Sequence, residues 1–186
     1  MMRKFGFLRP LAARPCWWRS VFFALLTLVA AMPASAAVEL SFYSRELGGN
    51  NFPHAFIRLV GTDDATGDAV DTSYGFTARS VSPAILFGSV AGEVLVEGEA
   101  RIRASDRQFH LTLSDAQYRT VMGVVEEWRN RAQPSYNLNR ANCVHFVAAI
   151  ATALGLRVET PQRLMKRPRS FLQHIRNLNA DAVMLN

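Results

Sequence analysis

The sequence predicts an α+β domain in which an antiparallel sheet packs against helices, and three observations carry that prediction. Apolar residues alternate at strand period in short runs from Val38 to Leu113. Helical spacings with caps take over from Ser114 onward. The first clear strand pair is joined by a short polar connection, as a hairpin requires. Strands first and helices after is the α+β order.

Residues 1–36 are expected to be a signal peptide and residues 37–186 a single domain. Arg3, Lys4, Arg9, Arg14 and Arg19 form a basic leader, Val21 to Met32 is unbroken apolar sequence, and Ala34-Ser35-Ala36 offers small residues for cleavage. The apolar run falls short of the roughly 18 residues that span a bilayer, so the expectation is cleavage after Ala36 and no stable membrane insertion of the processed chain. The leader holds five of the 21 basic residues and none of the 15 acidic ones, leaving 16 against 15. The sequence pI near 10.0 therefore describes the leader, and bulk charge gives no support to a nucleic-acid partner. The late basic residues Arg157, Arg163, Lys166, Arg167, Arg169 and Arg176 read as a solvated face.

Within the domain, Val38–Ser44 alternates as a strand. His54–Val60 follows as a second, with Ala55, Ile57 and Leu59 on one face and His54, Phe56 and Arg58 on the other. Gly61–Asp68 is a turn, and Ala69–Phe76 completes a hairpin. Ser80–Ala91, broken by Pro83 and Gly88, reads as a covering loop or short helical piece. Glu93–Arg103 and Gln108–Leu113 read as two further strands. Ser114 with Gln117 makes a capping box for a helix carrying Tyr118, Val121, Met122, Val125 and Trp128. A second helix starts near Asn142, buries Val147, Ile150, Ala151 and Leu154, and stops at Gly155. Thr160-Pro161 opens a further helical segment that Pro168 should interrupt, and Phe171, Leu172, Ile175 and Leu178 mark a last short helix.

Cys143 is the one cysteine outside the leader. A lone thiol in an exported protein is an inert core residue, a partner in an intermolecular disulfide, or a nucleophile. Its context favours the last. A polar, turn-forming stretch from Tyr136 to Asn142 delivers Cys143 to the first turn of an apolar helix, whose partial positive charge and N–H groups stabilise a thiolate and an oxyanion. Four histidines compete as its base. His145 is nearest in sequence but lies about 200° round the helix from the thiol, so it reads as a supporting or core residue. His110 ends a strand before a helix and His174 sits on a basic helix. His54 opens a strand directly after Gly-Asn-Asn-Phe-Pro and holds a modest lead.

Asn142-Cys143-Val144-His145-Phe146 resembles the Asn-Cys-x-His-Phe signature shared by the lecithin retinol acyltransferase family and the PPPDE peptidases, and the upstream Tyr136-x-Leu138 also resembles the latter. Both are circularly permuted relatives of papain and of NlpC-type cell-wall peptidases. The resemblance implies a permuted papain-like core, Cys143 as nucleophile, and a base on an earlier strand, to which His54-Ala55-Phe56-Ile57 is similar. It also implies a peptide or acyl substrate containing an amide, ester or thioester. Lecithin retinol acyltransferase-like proteins carry a second histidine on the next strand, which this chain lacks. Asp71 is the expected substitute: a four-residue hairpin loop would set it opposite His54, and an eight-residue loop opposite Arg58. A backbone carbonyl or Ser73 could orient the imidazole as well.

The expected function is that of an exported, periplasmic thiol hydrolase of amide bonds, with peptidoglycan peptides as leading substrate and lipid acyl groups second. A non-catalytic binding module is the alternative from another class. Neither metal-ligand spacing nor a phosphate-binding glycine loop is present, so no cofactor is expected.

Overall fold

In a computed structural model of the chain, the structure describes residues 38–46 and 52–183. The signal-peptide reading and most of the loop before His54 lie outside the described residues. Five strands form one antiparallel sheet: β1 (Val38–Arg45), β2 (His54–Thr62), β3 (Ala69–Ala78), β4 (Gly92–Leu95) and β5 (Asp106–Leu113), in the order β4-β3-β2-β1-β5. The helices are α1 (Glu99–Arg103), α2 (Asp115–Arg129), α3 (Cys143–Ala153) and α4 (Pro168–Leu178), with single 3-10 turns at Pro83–Leu86 and Gln162–Leu164. This is the predicted α+β class, with an arrangement consistent with a papain-like core.

The alternation read in the sequence sets the packing. Leu40 pairs with Leu59, and Phe42 lies between Ile57 and Phe109, so the apolar residues of three adjacent strands point to one face. The Phe42 and Phe109 rings stack with centroids 4.5 Å apart. Helices α2, α3 and α4 close that face with Val121, Val125, Phe146, Val147, Ile150, Phe171 and Leu172, all fully buried. Burying each such side chain contributes about 1.5–3 kcal/mol.

The helix boundaries follow local chemistry. Ser114 and Gln117 make the reciprocal capping box at α2. Gly155 follows α3 in the left-handed conformation, φ 79°, that ends a helix there.

Two expectations about elements fail, for local reasons. The run Glu93–Arg103 is a strand only to Leu95. Gly98 then caps α1, and the apolar alternation across that break has no strand to belong to. Pro168 does not interrupt a helix but occupies the first turn of α4, where its missing N–H costs nothing.

Candidate active site

Asn142 builds the end of α3 on which Cys143 sits. Its Oδ1 accepts from Val144 N–H at 2.9 Å and His145 N–H at 3.2 Å, while its Nδ2 donates to the carbonyls of Leu138 and Met165, each at 2.8 Å. The side chain thus ties the loop before the helix, the helix start and a distant turn to one point. Asn142→Ala should lose about 2–3 kcal/mol, combining a lost cap with two orphaned carbonyls, and a denaturant melt would measure it. His145 Nδ1 lies 3.3 Å from Asn142 N and 2.9 Å from its Oδ1, so whichever tautomer it holds, the ring closes on the capping residue. Burial, and then the charge of Arg131, hold its pKa below the ordinary value. His145 is therefore a neutral part of the cap, as its angular position predicts.

This cap changes one detail of the sequence reading. Of the helix-start N–H groups expected to stabilise an oxyanion, those of Val144 and His145 are taken by Asn142. The Cys143 N–H is not among those that Asn142 engages.

Cys143 is a buried free thiol, 7% exposed, at the floor of a cleft of about 700 Å³ whose walls include Arg45, His54, Arg101, Tyr136 and Lys166. His54, the first residue of β2, lines the same cleft as Cys143 and hydrogen-bonds to Glu97. Its Nε2 lies 2.9 Å from Glu97 Oε1. Burial alone would lower the His54 pKa. The hydrogen bonds and charges of Cys143 and Glu97 outweigh burial and bring it up to about 9. The imidazole is consequently protonated at neutral pH. Tyr136 also borders the site, and burial together with the charge at Cys143 pushes its phenol up to about 12, so it keeps its proton.

The residue orienting His54 is Glu97, not Asp71. Residues 63–68 separate the paired Thr62 and Ala69, so the hairpin register sets Asp71 opposite Val60, two residues beyond the Arg58 register and further still from His54. Asp71 is exposed there and receives Arg58 Nη2 at 3.0 Å and Nε at 3.2 Å, an ordinary surface ion pair.

Glu97 is 3% exposed and fully engaged. Its backbone N–H donates to Ser73 Oγ at 2.9 Å, and the Ser73 hydroxyl donates back to the Glu97 carbonyl at 3.1 Å. Arg101, one turn into α1, donates to Oε2 at 2.8 Å. Burial would raise the carboxyl pKa, but the His54 and Arg101 contacts prevail and hold it below the ordinary value. Ser73 thus orients the orienting residue rather than the imidazole. Gly98, directly after Glu97, was the sequence signal that a turn here could aim a carboxylate inward.

The competing histidines are elsewhere. His110 is in β5 opposite Ser41, with Nε2 3.8 Å from Glu39, and His174 pairs with Glu159 at 3.2 Å. Among the described residues no three His, Cys, Asp or Glu side chains group as a metal site.

No protein-family model matches the chain, and no curated protein matches it in sequence. Among solved structures, the chain is similar to a type VI secretion system effector, TseH, at 15% identity and a TM-score of 0.52, over 77% of this chain and 90% of that one. At that identity the likeness is one of fold.

Proposed function

We propose that this chain is an exported thiol hydrolase that cleaves amide bonds of cell-wall peptides in the periplasm through an acyl-enzyme. The observation that carries the reading is Cys143 and His54 lining one cleft, with the buried Glu97 carboxylate hydrogen-bonded behind the imidazole and His54 charged at neutral pH. The sulfur attacks the carbonyl carbon and forms the S–C bond. The Cys143 N–H and the Tyr136 hydroxyl, a donor throughout the neutral range, are the groups available to the developing oxyanion. His54 then delivers its proton to the departing amine as the C–N bond breaks. Water, deprotonated by the now neutral His54, attacks the thioester, the acid leaves, and the thiolate–imidazolium pair returns. Similarity to a secretion-system effector is compatible with action on a cell envelope.

A second reading has its own support. Phe52, Val81 and Leu86 border the cleft at 63%, 64% and 73% exposure, an apolar mouth suited to the acyl chain of an ester or thioester. Incubation of the purified protein with peptidoglycan sacculi separates the two. New amino termini in soluble peptides, absent with Cys143→Ala, are expected. Intact sacculi together with turnover of a long-chain acyl thioester would favour the second reading, and neither activity would refute both.

A further inference from the structure

We infer that the cleft holds a carboxylate of its substrate beside the scissile bond, with Arg45 as the principal contact and Arg101 and Lys166 completing a positive corner. The inference rests on the thiol-hydrolase reading of the same cleft and names its substrate class: peptides with a free carboxylate close to the cleaved amide.

Arg45 is the register partner of His54 across β1 and β2, so both side chains leave the same face of the sheet. Its Nε is buried with no hydrogen-bond partner among the described residues, an unusual state for a guanidinium. The guanidinium lines the cleft with Arg101 and Lys166. The local charges do not balance. Glu97 spends one oxygen on His54 and the other on Arg101. Glu46, next to Arg45 in the chain, pairs with Arg169 at 3.2 Å. Counting His54 as charged, four cations face Glu97 and the Cys143 sulfur. Burial, and then repulsion from Arg101, weaken the hold of Arg45 on its proton more than Glu97 restores it. A planar carboxylate accepting two N–H bonds from the guanidinium would satisfy the orphaned donor and neutralise the corner.

Iodoacetate and iodoacetamide test this directly. Each forms a bond from the Cys143 sulfur to a methylene carbon as iodide leaves, and they differ in carrying a carboxylate or a neutral amide. The ratio of their rates, read on the Cys143-containing peptide, reports the anion preference of the cleft, with the same protein unfolded in urea as reference. The folded ratio should exceed the unfolded one roughly fivefold or more, and shrink as salt is raised. Arg45→Gln should remove most of that preference and Arg45→Lys should keep much of it. Arg45 Nε makes no hydrogen bond among the described residues, so the substitution has little reason to unfold the sheet. A folded ratio equal to the unfolded one, or a preference unchanged in Arg45→Gln, overturns the inference. Slow alkylation by both reagents relative to unfolded protein would instead remove the hydrolase reading, while the ratio still decides the anion site.

Discussion

Replacing His54 by Ala should slow amide hydrolysis about a thousandfold, within the range that a positioned acid–base group contributes. The variant loses the cation beside the Cys143 sulfur and the proton that the departing amine needs. The pH dependence follows from the same group. His54 titrates near pH 9. Below that value the imidazolium can protonate the leaving group, and above it the proton is gone before the amine departs. Activity of the wild type should therefore hold through neutral pH and fall as pH rises through about 9. A limb near 6.5, the ordinary histidine value, would mean that neither Glu97 nor the sulfur supports the charge. Rates from pH 5 to 10 on a peptide amide, with Cys143→Ala as blank, measure both effects.

Glu97 sets the acid side of stability. Its carboxyl pKa lies below the ordinary value in the folded chain. Its contribution is thus fully present above the unfolded value and is lost as pH falls through the folded one. Wild type should be more stable than Glu97→Gln at neutral pH, and that advantage should shrink progressively below about pH 4.5. Thermal midpoints of the two proteins across pH 3 to 7 give the comparison. An advantage independent of pH would show that the buried carboxylate acts through shape rather than charge.

What the sequence disclosed and what it hid have physical causes. The place of Cys143 at a capped helix start was legible because its determinants are local: Asn142, the helix start and the apolar run behind it are contiguous. The core of β1, β2 and α3 was legible because burial on one face imposes a period. The orienting carboxylate was hidden because it is not local. Glu97 lies 43 residues from His54 and meets it through a turn pinned by Ser73. The alternation Val94, Val96 with Glu93, Glu97 imitates a continuing strand, and the sheet stops after Leu95. Asp71 drew attention because it is an acid on the neighbouring strand, but hairpin register depends on loop length. A six-residue loop moves it away from the cleft, onto Arg58. Arg45 stands out only through a buried Nε with no hydrogen-bond partner among the described residues, which no sequence pattern records.

Gly75→Ala should disable the site from behind. Gly75 sits in β3 opposite Leu95, and its backbone is not in the left-handed region, so alanine is conformationally acceptable there. Space is the obstacle. A Cβ at this position would stand 2.6 Å from Glu97 Oε1 and 2.6 Å from His54 Nε2, the two atoms that form the orienting hydrogen bond. Phe56 Cβ, at 3.2 Å, closes the remaining side. The methyl group must therefore push the imidazole and the carboxylate apart. Alanine is a better strand residue than glycine by about 0.5–1 kcal/mol, which offsets part of the strain and should leave the domain folded. Activity should fall about a hundredfold, the scale of a displacement near 1 Å in a catalytic group. The loss should carry a signature that mere destabilisation lacks: without Glu97 in contact, His54 titrates closer to 6.5, so the alkaline limb of the rate profile moves downward. Glu97→Gln should move that limb in the same direction, and the double variant should add little to either, because both changes remove one interaction. Wild-type turnover in Gly75→Ala with the limb still near 9 would show that Glu97 does not hold His54 in working position.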